Sequence, residues 1–409
     1  MLAHKDCQGI IVVVTGACGF LGCRLVQMLV ETGGLGGCMK KIAEESYNKH
    51  GNFAGQAMAE TKDFGEFDGW QVSEVRAFDR VINEHVEGMG SASVKVSCVQ
   101  GDVRDMPVLR DALRDATVVL HAASLVDVWG KYPSTALHST NVIGTKNVVE
   151  ACRLENVPCL IYTSTMEVVG PNILGDPFIR GNEDTSYRTM HSLPYTMSKA
   201  RAELIVLEAN GTQLSGGGHL ATLALRPTGI YGEDHDILKG VMISVHRCRG
   251  VMPMIAPPEA EQGRVYIGNV AWMHILAAYC LYTKPTGPAA GEVFYCYDDS
   301  PYLSYSNFNH LLLEAAGLRT TPFQPPYFVI LIIVWIAEVV SGMLRPFKRW
   351  TPILNRHTLG MVRTPFTVST DKAAKLLGYQ PRYEWKESRE RTTRWLSSIL
   401  PGNQGEQVR

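Results

Sequence analysis

Tyr195 and Lys199 stand four residues apart in Pro194-Tyr195-Thr196-Met197-Ser198-Lys199-Ala200, a stretch that reads as the start of a helix. Residues four apart share one helix face, so the lysine ammonium lies beside the phenol. A phenol titrates near 10, and a neighbouring cation draws it toward the operating pH. Such a pair takes the proton of an alcohol while a second group takes the hydride. Of the 16 tyrosines, only Tyr195 has a lysine four residues later. An exposed helical Tyr and Lys would do no chemistry, so the pair acquires meaning only from what the rest of the chain sets beside it.

A hydride acceptor is the first requirement. Ile10 to Val14 is a β-branched run, as expected of a parallel strand buried on both faces. It runs into Thr15-Gly16-Ala17-Cys18-Gly19-Phe20-Leu21-Gly22 and then an amphipathic helix with Leu25, Val26, Leu29 and Val30. Glycines in that context allow a tight turn and bring Gly16, Gly19, Phe20, Leu21 and Gly22 against a pyrophosphate at the helix N-terminus. Asp79, ending the strand Val75-Arg76-Ala77-Phe78-Asp79, would bind the adenosine ribose hydroxyls and favour NAD, although Arg80 beside it would welcome a 2′-phosphate. Asp79 comes later than usual because a polar, glycine-containing stretch, 37–70, intervenes; it reads as an inserted loop or an error in the gene model. After a third strand, Val94 to Val99, Asp102 and Val103 follow, with Asp102 either contacting adenine or capping the next helix.

Val118 to Ala123 is a fourth strand, Asn141 to Thr145 opens a helix, and Leu160 to Thr165 is a fifth strand. A sixth, Thr222 to Leu225, precedes Arg226 and the cofactor-side Pro227. The alternation predicts an α/β doubly wound parallel sheet of Rossmann type over 8–231, a smaller substrate lobe over 232–326 and again over 345–400, and an apolar helix over 327–344. Ligands of such sheets lie beyond the carboxyl ends of the strands, so the Thr165 hydroxyl can face Tyr195 across a substrate oxygen. The 39 basic and 40 acidic residues give no sign of a nucleic-acid partner. The 10 cysteines show no metal-ligand spacing, and the thiols beside the glycine turn suit a reducing compartment.

With the glycine turn, Thr165 and Tyr195-x-x-x-Lys199 in place, the chain resembles the extended short-chain dehydrogenase/reductase superfamily. Tyr162-Thr163-Ser164-Thr165-Met166-Glu167, Arg226-Pro227-Thr228-Gly229 and Val265-Tyr266-Ile267-Gly268-Asn269-Val270 narrow the resemblance to the 3β-hydroxysteroid dehydrogenase/isomerase family. Gly181-Asn182-Glu183-Asp184-Thr185 and Phe366-Thr367-Val368-Ser369-Thr370 look most like its branch that acts on 7α-hydroxylated C27 sterols in bile-acid synthesis. The resemblance implies catalytic roles for Asn141, Thr165, Tyr195 and Lys199, with Lys199 also holding the nicotinamide ribose and Asn141 fixing a water. Thr165 stands where hormone-making relatives have Ser and keeps the hydroxyl. The implied reaction is NAD-dependent oxidation of a 3β-hydroxyl followed by a shift of the 5-ene to the 4-ene. Glu167, on the same face as Thr165 by strand periodicity, or Asp127 after the fourth strand would move the second proton. Alternatives are a hormone-making 3β-dehydrogenase, a decarboxylating 4-carboxysterol enzyme, or a silent NAD-binding scaffold.

The apolar run 327–344 makes a helix of about 27 Å, at the lower limit for crossing a bilayer. The tail beyond it resembles part of the same lobe, and Arg345, Lys348 and Arg349 favour a cytosolic position. The expectation is a helix embedded in or lying along the cytosolic leaflet of the endoplasmic reticulum, facing a membrane-dissolved sterol. No metal is expected, and a homodimer is left open.

Overall fold

The computed structural model describes residues 9–33, 69–191, 193–344, 351–352 and 354–400. Seven strands form one wholly parallel sheet: β1 (Ile10–Thr15), β2 (Val72–Asp79), β3 (Lys95–Gln100), β4 (Val118–His121), β5 (Cys159–Thr163), β6 (Ala221–Pro227) and β7 (Val293–Cys296). Their order is β7-β6-β5-β4-β1-β2-β3, so the winding reverses between β1 and β4 and opens a crevice at their carboxyl ends. In register, Val12 of β1 lies between Val75 of β2 and Val118 of β4.

The β-branched residues of β1 serve both faces because successive side chains point oppositely. Val12 and Val14 join Leu25 and Leu29 of α1 (Phe20–Gly33) and Trp272 of the helix Ile267–Thr283 in one core. Val13 joins the other, with Leu109 and Leu113 of α2 (Met106–Leu113), Val148 of α3 (Gly144–Leu154) and Val206 of α4 (Pro194–Glu208). With the earlier helices in place, Ile267–Thr283 is α5. The architecture is the expected three-layer α/β form. One difference is instructive: β7 and α5 come from the stretch assigned by sequence to the smaller lobe, so the sheet extends past Tyr231. Residues 37–68 of the proposed insertion lie outside the described residues.

The smaller lobe is built from short parallel pairs. Gly229–Tyr231 pairs with Arg264–Tyr266, Val251–Pro253 with Thr321–Phe323, and Phe178–Gly181 with Phe366–Val368. The apolar helix is α6 (Tyr327–Leu344), whose only buried residues are Ile330 and Val334. They pack on Leu359 of α7 (Arg356–Arg363) and beside Ile255. The polar interruption of α6 is tied down as well: Arg356 donates to Glu338 from its backbone N–H at 2.8 Å and from Nε at 2.6 Å. Beyond α7 the chain returns to the body, where Asn269 of α5 exchanges two hydrogen bonds with the backbone of Tyr383, at 2.8 and 2.9 Å.

Candidate active site

The turn from β1 to α1 is made of backbone because nothing larger fits. Gly16 has φ +73°, and a Cβ on it would come 2.7 Å from the Ala123 backbone. A Cβ on Gly22 would come 1.9 Å from the Gly16 carbonyl oxygen, so α1 can start this close only at glycine. No acidic residue stands in the first turn of α1, which leaves the positive helix end for an anion. Asp79 ends β2 and accepts the Cys18 N–H at 2.9 Å, joining its carboxylate to the turn. Pro227 is buried at the end of β6. Asp102 receives the Arg104 guanidinium at 2.9 and 2.6 Å, which holds its carboxyl below the usual range. The cap of α2 is Asp105, accepting from Val108 N–H, so Asp102 is not the helix cap. Val103 beside it is buried against Gly144.

Tyr195 and Lys199 both lie on the buried side of α4. Spacing predicts that the ammonium favours the phenolate; burial acts against the charged form of both partners. It pushes Tyr195 up, with the Glu167 charge adding to the effect, and pushes Lys199 down to about 7, opposed in part by Glu203. The amine donates to the Thr163 carbonyl at 2.6 Å and lies 4.3 Å above the Tyr162 ring. Thr165 follows β5 and starts the short 3-10 turn Met166–Val168, which packs against α4. Asn141 is 1 % exposed in a π-helical turn, His138–Ile143. Its side chain donates to the Leu125 carbonyl at 3.1 Å and Ser198 Oγ at 2.9 Å, and accepts from Leu125 N–H at 2.7 Å. It therefore pins the loop after β4 to α4.

Of the two carboxylates proposed to move the second proton, the structure brings one to the tyrosine. Glu167 Oε2 is enclosed with no hydrogen-bond partner among the described residues, and burial raises the group to about 7. It lines a cavity with Gly170, Pro171, Thr196, His357 and Met361. Asp127 is held by its own loop. Its carboxylate accepts four backbone N–H groups, from Trp129, Gly130, Lys131 and Tyr132, at 2.8 to 3.2 Å. These amides tie the carboxylate into the loop after β4.

Comparison with known proteins bears on what this site is. The family model described as "3-beta hydroxysteroid dehydrogenase/isomerase family" matches residues 55–324. The chain is 41% identical over 392 residues to the mouse protein named 3 beta-hydroxysteroid dehydrogenase type 7, covering 95% of this chain and 96% of that one. It is 41% identical over 400 residues to the human protein of that name, covering 97% and 98%. The chain belongs to the 3-beta hydroxysteroid dehydrogenase/isomerase family. Solved structures with the same fold include MoeE5 in complex with UDP-glucuronic acid and NAD, at TM-score 0.61 and 19% identity over 95% of this chain and 99% of that one. The dTDP-glucose 4,6-dehydratase DesIV of Streptomyces venezuelae gives TM-score 0.62 and 17% identity, covering 95% and 98%.

For this member of the 3-beta hydroxysteroid dehydrogenase/isomerase family, the structure adds positioning groups that spacing did not reveal. Ser198 holds Asn141. Thr163, whose carbonyl takes the Lys199 amine, gives its hydroxyl to His274 of α5 at 2.8 Å. His274 Nδ1 meets the Val270 carbonyl at 2.8 Å, so that nitrogen carries the proton and Nε2 accepts from Thr163. Arg226 and Glu203 form a buried double hydrogen bond at 2.6 and 3.0 Å, one turn beyond Lys199. Helical spacing gave a hint for Glu203, four residues after Lys199; for His274 no local pattern exists, since its partner is 111 residues away.

Proposed function

We propose that the protein oxidises the 3β-hydroxyl of a Δ5-sterol, of the 7α-hydroxylated C27 class, and shifts the double bond to give a 4-en-3-one. The observation that carries the reading is a single placement. Tyr195 and Lys199 on the buried side of α4, with Thr165 just past β5, lie at the carboxyl edge of the sheet to which β1 delivers the glycine turn. The backbone cradle at Gly16 and Gly22 and the carboxylate of Asp79 fit a dinucleotide, and the Asp favours NAD. When bound, NAD⁺ supplies the acceptor for the C3 hydride and a positive ring that offsets the burial acting on Tyr195. Tyr195 takes the 3β-hydroxyl proton, the Thr165 hydroxyl orients the same oxygen, and Lys199 is held in place by the Thr163 carbonyl. Asn141 fixes the loop past β4 and so the geometry of the proton path. Glu167 then carries the proton from C4 to C6.

The sterol reading is supported by the named relatives and by α6, an apolar helix with most of its surface exposed. The return of the chain to α5 after α7 argues for a helix lying in one leaflet, on the cytosolic side of the endoplasmic reticulum. The test is an NAD⁺-dependent assay of the detergent-solubilised enzyme with 7α-hydroxycholesterol, cholesterol and pregnenolone side by side. The first is expected to react best; preference for pregnenolone overturns the C27 assignment. Tyr195→Phe is expected to lose roughly 10²–10⁴ in turnover while NAD⁺ binding is kept. Unchanged turnover would instead make the chain a silent scaffold.

A further inference from the structure

Arg264 is a cation buried in the smaller lobe with no anion among the described residues to meet it. It is 3 % exposed, and the groups that act on its charge are Tyr305 and Tyr231, with no carboxylate among the described residues. Nε donates to the Gly229 carbonyl at 3.0 Å. The guanidinium carbon lies 4.7 Å from the Tyr305 ring centre and 4.9 Å from that of Phe308. Room for the side chain is made by glycine, because a Cβ on Gly229 would come 3.0 Å from both Cδ and Nε of Arg264.

Arginine keeps its proton in proteins, and an unpaired buried charge is strongly unfavourable. Aromatic faces offset part of that. The contrast with Arg226 is direct: that arginine is also largely buried, and Glu203 meets it with two hydrogen bonds. A ligand anion would do for Arg264 what Glu203 does for Arg226.

A second polar group points to the same place. His235 Nδ1 is enclosed and has no hydrogen-bond partner among the described residues. The Arg264 charge acts on this ring and, together with burial, keeps it neutral. The ring stacks at 5.1 Å on Phe20, the first residue of α1 after the glycine turn. Arg264 and His235 thus lie between the cofactor turn and the strand pair of the smaller lobe.

We propose that Arg264 and His235 form an anion subsite, taking a phosphate or carboxylate of a bound ligand through the guanidinium fork and an imidazole N–H. The proposal rests on the dehydrogenase reading only for which ligands lie nearby. Two of them carry such oxygens: the pyrophosphate of the dinucleotide, and an acidic terminus on a sterol side chain.

The experiment measures binding, so it stands apart from turnover. Full-length enzyme in detergent is titrated calorimetrically with NAD⁺ and with two sterols of one ring system, one with a neutral side chain and one ending in a carboxylate. Arg264→Met is expected to weaken one anionic ligand by roughly tenfold or more and to leave the neutral sterol unchanged. Loss for NAD⁺ assigns the subsite to the pyrophosphate; loss for the acidic sterol assigns it to the side chain. Arg264→Lys keeps the charge without the fork and is expected to fall between. His235→Phe keeps the stack on Phe20, removes the ring nitrogen, and is expected to weaken the same ligand. If Arg264→Met fails to fold, these two variants carry the measurement. Equal affinities for all three ligands in every variant, or a loss that includes the neutral sterol, would overturn the subsite and leave Arg264 a stacked structural cation. Failure of the dehydrogenase reading shows separately, as unchanged turnover in Tyr195→Phe.

Discussion

At Glu167 a carboxyl group has one oxygen sealed from solvent with no donor among the described residues to meet it, and its titration is lifted to about 7. A group balanced there can both take and return a proton. As the base it must be ionised, so isomerisation is expected to climb as pH rises through about 7, read as the 4-en-3-one formed from supplied 5-en-3-one. Glu167→Gln is expected to lose that step while 3β-oxidation, followed as NADH, persists; equal loss of both would mean general disruption. Stability follows with a definite sign. The folded value lies above the ordinary 4.5, so this carboxyl group's contribution is fully present below about 4.5 and lost as pH rises through about 7. Glu167→Gln should therefore unfold at higher temperature than the parent above pH 7, by as much as about 3 kcal/mol in stability. Spacing showed that Tyr195 and Lys199 share a helix face, but burial is a property of the assembled fold. The shared face of the pair was legible in the sequence, and its burial was not.

Among the elements, α4 is unusual in burying Lys199 and Glu203 together with Tyr195. What makes this tolerable is Arg226, reaching from the end of β6 to hold Glu203. Arg226→Met leaves a buried carboxylate without its partner and is expected to cost about 3–5 kcal/mol in denaturant unfolding. Arg226→Met with Glu203→Gln should recover most of that loss. Of the first six strands, β1, β4, β5 and β6 could be read from aliphatic or β-branched runs, and β2 and β3 from spaced valines ahead of a turn. β7 could not: Val293–Cys296 is four residues long, and it earns its strand only by lying beside β6. Asp127 is a case of the same kind, since no local pattern announces the four amide donors that its carboxylate accepts.

For the whole molecule, the decisive relation is between α6 and the cavity beside Glu167. His357 and Met361 line that cavity from α7, and α7 is bound to α6 through Leu359 and the Arg356 to Glu338 contact. The apolar helix was plain from composition; its attachment to a wall of the candidate site was not, because the contacts bridge separate elements. Deleting 327–344 is expected to release the protein from microsomes at alkaline pH, and a tail protected from protease until microsomes are opened would refute the single-leaflet arrangement. In the proposed single-leaflet arrangement, a cavity wall fastened to α6 also changes what concentration means for this enzyme. A substrate that arrives sideways through the bilayer is counted per lipid, not per litre. The apparent KM in bulk concentration should then double when inert phospholipid is doubled, and stay constant when expressed as a mole fraction of the membrane.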